Sequence, residues 1–445
     1  MIEKIKNKEK YIKIIFVICT FILSLIWAII QLDGSAPDEF MKMDICKYIA
    51  ENGKLPHGGD EAIRDPSWGI SYAFSPILSY IIGGGFIKIV SLFTQELHVY
   101  YIVARLVSVI CYTIMTIFII KIGEKLFDKK DTKWMFIILT TLLPQVTFLG
   151  SYINNDSLAL LSISIIIYSW LIGLETKWNI KSCLSLAIGI GLCALSYYNA
   201  YGFILTSILI FIVTYMINKK IDKKDFIKKG IIISAISILI FGWWFVRSAI
   251  IYEGDFLGLR TTEEYAEKYA KEELKPSKRE TPANTGKSLF NMLYERGWIK
   301  QTLKSFIGVF GGMSIPMGMK FYAVYIVIFG IGITGYLLKF SKIEYIKELK
   351  KAKEKIVLEV MFILNIIIAI SLSVYYSYYS DFQPQGRYIM PMLIPFMYFI
   401  TLGLENVIEK FIKNDKLRRI SKLMIILLVI VLSMAALLKI IQESF

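Results

Sequence analysis

The chain alternates between long apolar stretches and short polar connections along almost its whole length. Eleven stretches approach the roughly 20 apolar residues that a helix needs to cross a bilayer core of about 30 Å. The predicted spans are residues 13–31, 99–120, 134–150, 157–174, 182–198, 202–217, 231–251, 320–338, 356–376, 388–407 and 423–441. The pattern therefore predicts an all-α polytopic membrane protein in which residues 1–445 form a single membrane domain.

Two further apolar stretches, 73–93 and 304–318, do not fit the alternation of sides. Each contains a proline, Pro76 in the first and Pro316 in the second, together with a run of glycines. We interpret 73–93 as an interfacial or re-entrant hairpin and 304–318 as similar, since irregular backbone is tolerated at membrane depth only where protein covers it. The alternative is that they are a twelfth and a thirteenth span.

The distribution of basic residues predicts the sidedness of the spans. The net charge of +15 would also suit a nucleic-acid-binding protein, but the lysines and arginines cluster between spans, where the positive-inside rule places them. The basic connections are 1–13, 121–133, 219–229, 339–355 and 410–422, whereas 151–156 and 199–201 carry no basic residue. We expect the basic connections and the amino terminus in the cytoplasm, the carboxyl terminus outside, and no nucleic acid as partner.

Composition excludes several other classes of protein. Apolar residues make up 56% of the chain and the mean hydropathy is +0.56, which exceeds the values usual for soluble domains. The five cysteines have no CxxC spacing and there are two histidines, so neither a disulfide framework nor a His-rich metal centre is expected. No phosphate-binding loop and no Ser-His-Asp set is present, which removes support for nucleotide-driven transport and hydrolase chemistry.

Two long connections are predicted on the outer side. Residues 32–72 form a first outer loop that carries twice as many acidic as basic residues. Residues 252–303 form a second outer loop whose charges alternate at helical spacing, which is typical of a solvated helix. We expect the second loop to act as a lid or an acceptor platform.

A carboxylate pair, Asp38 and Glu39, opens a predicted surface helix in the first outer loop. Apolar residues follow at helical spacing and lie opposite Lys42 and Lys47, which is typical of a helix on the membrane surface. A carboxylate held just outside the bilayer can deprotonate a hydroxyl, and an apolar setting is expected to raise its pKa. The alternative is that the pair merely favours the helix dipole.

The short outer connection 151–156 ends in Asn155 and Asp156. Either residue could cap the next span as an ordinary N-cap. The functional alternative is that Asp156 faces the same outer cavity as Asp38, as a metal ligand or an acceptor contact. His57 is grouped with these two residues at the acceptor or second acidic site, although a lone histidine does not make a metal site.

Three arginines, Arg105, Arg247 and Arg387, lie at or near the outer ends of spans in a chain that otherwise prefers lysine. Arginine at this depth is usually paired with an anion or a carboxylate. Its guanidinium donates two parallel hydrogen bonds to a phosphate. We therefore predict that the three bind a lipid phosphate; the alternative is that they extend toward lipid headgroups.

The order of these residues resembles the GT-C superfamily of integral-membrane glycosyltransferases. The similarity spans about residues 10–400 and is greatest to bacterial relatives of protein O-mannosyltransferases and lipid A aminoarabinose transferases. It is carried by Pro37-Asp38-Glu39, Ala104-Arg105-Leu106-Val107-Ser108, Leu143-Pro144-Gln145, Tyr152-Ile153-Asn154-Asn155-Asp156, Trp244-Phe245-Val246-Arg247-Ser248 and Gln385-Gly386-Arg387-Tyr388 with Pro391.

The resemblance implies inverting transfer of a sugar from a polyprenyl-phosphate donor to a glycan, lipid or protein acceptor outside a bacterial plasma membrane. Asp38 would be the general base with Glu39 beside it, and Arg387 and Arg247 would hold the phosphate. Asp156 matches a second acidic position that is linked in some relatives to a divalent cation such as Mg²⁺ or Mn²⁺. In this chain two asparagines, Asn154 and Asn155, precede Asp156 in place of another acid, so the sequence departs here from the metal-linked relatives.

Two rival functions remain open at this stage. A transporter or flippase of a lipid-linked glycan would place charges at mid-membrane and show two related halves, and neither feature is seen. A glycan polymerase or ligase would centre its arginines on one very long outer loop. The two outer loops of moderate length favour the transferase.

Overall fold

The computed structural model describes residues 2–217, 222–341, 345 and 352–444, with side chains from Lys8 onwards. Parts of the predicted basic connections 219–229 and 339–355 lie outside these ranges. The α-helices are α1 Ile2–Ile30, α2 Glu39–Asn52, α3 Leu78–Val90, α4 Leu97–Leu126, α5 Lys130–Thr141, α6 Pro144–Leu149, α7 Asp156–Thr176, α8 Ile180–Ala194, α9 Gly202–Ile217, α10 Lys223–Ile251, α11 Leu259–Tyr269, α12 Trp298–Gly308, α13 Met319–Phe340, α14 Lys353–Tyr379, α15 Leu393–Phe411 and α16 Asp415–Ser444. Short 3-10 turns occur at Glu61–Ile63, Tyr72–Phe74, Tyr198–Ala200, Glu272–Leu274 and Gly386–Met392, and a π-turn at Asn291–Glu295.

The prediction of a helical polytopic membrane protein is confirmed. Within the described residues, nine helical segments are long and apolar enough to cross a membrane. Seven are α1, α4, α7, α10, α13, α14 and α16, and two are α9 and α15 together with the 3-10 turns that precede them. The other two predicted spans are shorter: α8 has 15 residues, and 134–150 is divided between α5 and α6. The count of eleven spans stays a prediction.

The predicted span 134–150 is broken by Pro144. A proline disfavours helical geometry in the residue before it and cannot donate a backbone hydrogen bond. Leu143 accordingly has an extended ψ of 122°, and α6 begins at Pro144. The Tyr112 hydroxyl donates to the carbonyl oxygen of Thr141 at 2.8 Å, which satisfies a carbonyl that the break leaves free.

The two stretches that did not fit the alternation form short elements. Within 73–93, α3 has 13 residues and extends about 20 Å, less than a bilayer core. It packs against α2 and α4, where Gly84 allows close contact with the backbone of α2 at Cys46. Within 304–318, α12 ends at Gly308, and β1 Val309–Phe310 pairs antiparallel with β2 Ile315–Pro316. Whether either stretch crosses the membrane stays a prediction.

Ion pairs join several of the predicted cytoplasmic connections to one another. Lys133 binds Glu9 at 2.7 Å, and Lys422 lies 3.3 Å from both Asp131 and Glu405. These pairs place connections 1–13, 121–133 and 410–422 at one end of the bundle. Which side of the membrane that end faces is part of the proposal below.

Helices α7 and α15 begin at the opposite end of the bundle. Most residues of these two helices are buried, whereas α10 and α16 leave many apolar side chains exposed, as lipid-facing helices do. The first outer loop, with α2 and α3, covers the start of α7. This cover encloses the polar residues described next.

Candidate functional site

Asp38 lies at the turn between α1 and α2. Its φ of 54° is in the left-handed region, which aspartate adopts more readily than most residues. Oδ2 accepts hydrogen bonds from the Tyr72 hydroxyl at 2.7 Å and from Nη2 of Arg387 at 3.1 Å. Oδ1 accepts none from the described residues, and 35% of the side chain is exposed. One carboxylate oxygen is therefore held and the other is open to a ligand.

The electrostatic surroundings lower the pKa of Asp38. Burial alone would raise it, but the charges of Lys42 and Arg387 and the hydrogen bond from Tyr72 outweigh burial. The sequence-based expectation of a raised pKa is wrong, because it took account of the apolar setting and not of the cations. Asp38 is thus ionised at neutral pH, and it is a weak base while both cations remain unneutralised.

Lys42 is a site residue that the sequence pattern assigned to the solvent face of α2. Its side chain is 3% exposed. Nζ donates to the carbonyl oxygen of Pro37 at 2.6 Å and lies 5.2 Å and 5.4 Å from the ring centroids of Tyr72 and Tyr152. Its spacing of one helical turn from Asp38, which puts both on one face, is the signal that could have identified it.

Burial also changes the acid–base behaviour of Lys42. Desolvation and the charge of Arg387 lower the pKa of Lys42 to about 8. The neighbouring carboxylates Asp38 and Asp156 act in the opposite direction but do not compensate. The ammonium is therefore mostly charged at pH 7 and loses its charge within the mildly alkaline range.

Arg387 opens the 3-10 turn that precedes α15. Gly386 allows this turn to contact α12, since a Cβ there would lie 2.0 Å from the backbone nitrogen of Phe306. Nη2 of Arg387 also donates to the Tyr388 hydroxyl at 3.0 Å, and the residue is 8% exposed. Its buried Nε has no hydrogen-bond acceptor among the described residues. A buried guanidinium with an unused N–H is suited to binding an anion.

Lys42 and Arg387 line a cavity of about 90 Å³, which we call the anion cavity. Its wall includes Lys42, Tyr72, Asp156, Arg387 and Tyr388. A larger groove of about 700 Å³ lies between α13, α15 and α16, but its lining is almost wholly apolar and contains no titratable residue. Unlike that groove, the anion cavity is lined by charged side chains.

Asp156 contributes to the wall of the anion cavity, and neither it nor Asn155 caps α7 with its side chain. The cap is Asn154, whose Oδ1 accepts from the backbone nitrogen of Ser157 at 2.8 Å. Asn155 instead donates to the carbonyl oxygen of Pro76 at 2.8 Å. The structure thus brings Asp156 to the same cavity as Arg387, whereas Asp38 is not part of the wall of that cavity.

Glu39 and Arg105 form a buried bidentate ion pair away from the anion cavity. Both side chains are 0% exposed; Nε of Arg105 lies 2.9 Å from Oε1 of Glu39, and Nη2 lies 2.8 Å from Oε2. The remaining donors of Arg105 bind the carbonyl oxygens of Ala28, Gln31 and Leu32. We therefore correct both predictions: Arg105 has no donor left for phosphate, and Glu39 is held as a partner of Arg105, joining α1, α2 and α4.

This pair gives a stability prediction. Glu39→Gln should lower the free energy of unfolding by about 2 kcal/mol, because a charge-assisted hydrogen bond to a buried arginine is lost. Unfolding in mixed micelles measures it, with the exposed Glu61→Gln as a matched control in the same loop. Full stability combined with lost activity would instead restore Glu39 to the catalytic residues.

Arg247 and His57 lie at a different place, where the two outer loops meet. Nη2 of Arg247 donates to the carbonyl oxygen of Pro56 at 2.7 Å. The His57 ring centroid lies 4.9 Å from that of Tyr252 and 6.0 Å from that of Phe74. Neither residue lines the anion cavity. The structure therefore does not bring them together with Arg387; they join the two loops, and their binding of phosphate or acceptor stays a prediction.

The donor set of the anion cavity does not fit a divalent cation. No group of three His, Cys, Asp or Glu side chains suited to a metal occurs in the described part of the chain. The carboxylates of Asp38 and Asp156 are accompanied by two buried cations, Lys42 and Arg387, which would repel a metal ion. The arrangement suits an anion bound beside a carboxylate base.

Comparison with known proteins supports a family and a fold. Residues 64–397 match the family model DUF2142, described as a predicted membrane protein. No curated protein matches the chain in sequence.

Three solved structures are similar in fold. ArnT from Cupriavidus metallidurans, bound to undecaprenyl phosphate, is 12% identical with a TM-score of 0.53, over 88% of this chain and 60% of that one. The oligosaccharyltransferase AglB from Archaeoglobus fulgidus, in complex with an inhibitory peptide and a dolichol-phosphate, is 15% identical with a TM-score of 0.55, over 98% and 56%. The Archaeoglobus fulgidus oligosaccharyltransferase in complex with Zn and sulfate is 15% identical with a TM-score of 0.58, over 96% and 53%.

The chain therefore spans 53–60% of the length of these structures. At these identities the likeness concerns the fold alone. The fold is similar to those of ArnT and AglB, in agreement with the GT-C-like fold predicted from the sequence.

Proposed function

Because the chain belongs to the DUF2142 family of predicted membrane proteins and pairs a carboxylate with buried cations in a GT-C-like fold, we propose that it is a glycosyltransferase. Its donor would be a polyprenyl-phosphate-linked sugar and its acceptor a hydroxyl on the outer face of a bacterial plasma membrane. The undecaprenyl phosphate in ArnT and the dolichol-phosphate in AglB support a lipid phosphate as the donor group.

One observation carries this proposal: Nη2 of Arg387 and Oδ2 of Asp38 lie 3.1 Å apart, yet each side chain keeps one atom that has no hydrogen-bond partner among the described residues. Oδ1 of Asp38 can accept a proton, and Nε of Arg387 can donate to a phosphate oxygen. A general base and an anion site therefore adjoin each other, which is what displacement of a phosphate by a hydroxyl needs.

The reaction is a single displacement at the anomeric carbon. The acceptor oxygen forms a bond to that carbon, the bond from the carbon to the phosphate oxygen breaks, and its electron pair leaves with the phosphate. The acceptor proton moves to Oδ1 of Asp38, and the configuration is inverted. The phosphodiester carries one negative charge and the departing polyprenyl phosphate carries up to two, so Arg387 and Lys42 stabilise charge that grows in the transition state.

Donor binding would also activate the base. The charges of Lys42 and Arg387 hold the pKa of Asp38 low in the free protein. A bound phosphate neutralises part of that positive charge, so the carboxylate becomes more basic once the donor is in place. Proton removal is thereby linked to the presence of the donor.

The pH dependence of donor use tests the role of Lys42. Since kcat/KM reports groups of the free enzyme, we expect it to fall above a pKa of about 8, where Lys42 loses its charge. Lys42→Arg should remove this alkaline limb, because a guanidinium stays charged across the range. Lys42→Met should give low activity without an alkaline fall in kcat/KM. If the alkaline fall persists in both variants, it is due to another titrating group.

The transfer reaction itself is measured in proteoliposomes. Radiolabelled undecaprenyl-phosphate hexoses are supplied with native membrane extract, and labelled acceptor is separated from donor. Wild type should transfer label and Asp38→Asn should not. If the donor merely changes leaflet without being consumed, a flippase replaces the transferase.

A further inference from the structure

A second cavity shares Tyr72 with the anion cavity as part of its wall. It measures about 210 Å³, and Asp38 and Tyr72 are part of its wall. Asp38 does not line the anion cavity, whereas Tyr72 lines both. The carboxylate that we propose as the base therefore borders the second cavity, and the cations Lys42 and Arg387 border the first.

The first outer loop presents Trp68 to the second cavity on a rigid turn. Oδ1 of Asp65 accepts from the backbone nitrogens of Ser67 at 2.9 Å and Trp68 at 2.8 Å. Gly69 follows with a φ of 69°, and a Cβ there would lie 2.3 Å from the backbone nitrogen of Ala270. Only glycine allows this contact, so the turn is fixed against the second outer loop.

The remaining wall comes from the second outer loop and the end of α14. The guanidinium of Arg279 lies 5.0 Å from the ring centroid of Trp68, and its buried Nε has no acceptor among the described residues. Asp381 accepts from Nε2 of Gln383 at 2.6 Å, and Tyr376 completes the wall. The cavity thus combines aromatic rings with a cation, a carboxylate and an amide.

We propose that the second cavity binds the acceptor, and that the acceptor presents a carbohydrate hydroxyl; this rests on the proposed glycosyl transfer. In a single displacement, the attacking oxygen approaches the anomeric carbon from the side opposite the leaving phosphate. The phosphate site is the anion cavity, so the attacking hydroxyl belongs in the other cavity that Tyr72 borders, next to Asp38.

The lining identifies the chemical class of the acceptor. A pyranose ring offers C–H groups that pack on an aromatic face and hydroxyls that both donate and accept hydrogen bonds. Trp68 supplies the face, Asp381 accepts, and Arg279 donates through an N–H that otherwise stays unpaired. The cavity is smaller than the roughly 300 Å³ at the lower end for drug-sized ligands, which suits one sugar ring rather than a folded peptide.

The test uses methyl glycosides and serine- or threonine-containing tripeptides as acceptor probes, with radiolabelled undecaprenyl-phosphate hexoses as donors, in proteoliposomes. Trp68→Ala should lower the acceptor kcat/KM by about tenfold or more, mainly through a raised acceptor KM. Asp381→Asn, which leaves the size of the side chain unchanged, should raise the acceptor KM several-fold. Trp243→Ala is the matched control, since Trp243 is exposed on α10. Saturation-transfer NMR of the methyl glycosides measures binding without turnover.

Each outcome decides the proposal. A raised acceptor KM in both variants, with glycosides used and Trp243→Ala unaffected, supports it. An unchanged acceptor KM in both variants overturns the assignment of the second cavity as the acceptor site. An effect on the donor KM alone makes the cavity a donor-sugar subsite. Use of the peptides alone as acceptors overturns the carbohydrate class. If wild type cleaves no donor yet binds the glycosides through Trp68, the proposed transfer fails while the carbohydrate site stands.

Discussion

Asp38→Asn is expected to lower the rate constant of sugar transfer by about 10²–10⁴-fold, the range usual for loss of a general base. The amide cannot accept the acceptor proton, and Oδ1 is the carboxylate oxygen that the described residues leave open. Folding should be unaffected, because asparagine also tolerates the left-handed φ of 54° and its oxygen can still accept from Tyr72 and Arg387.

A matched control for this variant is Asp44→Asn on the exposed side of α2. It makes the same chemical change on the same helix and borders neither cavity. Transfer rate and melting temperature are measured for both. Equal transfer by Asp38→Asn and wild type would move the base to Asp156, whereas a lowered melting temperature in Asp38→Asn alone would make its role structural.

Arg387→Ala is expected to lower kcat/KM for the donor by about 10²–10³-fold, which is typical of removing one donor to a developing oxyanion. Arg387→Lys should recover part of the loss, since an ammonium keeps the charge but not the planar pair of N–H groups. The affected quantities are the donor KM and kcat, because the guanidinium would hold both the bound phosphodiester and the leaving phosphate.

Because Arg387 is buried, its replacement by alanine removes packing contacts as well as charge, so the melting temperature is measured together with the kinetics. Asp38 is 35% exposed and can be hydrated when Arg387 is removed, which limits the loss of stability. Arg260→Ala is the control, because its side chain is exposed on the second outer loop. An unchanged donor KM in folded Arg387→Ala would refute the phosphate site.

The three arginines illustrate how far the sequence could predict the site. Arg105, Arg247 and Arg387 have the same chemistry and similar depth, so the pattern assigned all three to phosphate. The structure separates them by place and partner: Arg105 is saturated by Glu39 and backbone carbonyls, Arg247 binds the Pro56 carbonyl away from the anion cavity, and Arg387 lines the anion cavity with an unused Nε. Partners distant in the chain cannot be assigned from a single sequence.

Lys42 was misplaced for a related reason. Helical periodicity gives the angular position of a side chain on α2. The position of Lys42 was predicted to face solvent because its side chain is charged. In the folded chain the rings of Tyr72 and Tyr152 cover this face. The same cations reversed the expected direction of the Asp38 pKa, because an electric field depends on distances through space.

The sequence by itself determined that this is a helical membrane protein, where most of its apolar helices lie, and that Asp38, Asp156 and Arg387 are candidate site residues. It could do so because a bilayer imposes constraints along the chain: span length, apolar content and the charge of connections. Tertiary structure alone decided which charged groups meet, which have all their hydrogen bonds satisfied, and that Asp38 borders one cavity while Lys42 and Arg387 border another. Those properties depend on contacts between residues hundreds of positions apart, such as the 3.1 Å pair of Asp38 with Arg387, and these arise only when the chain has packed.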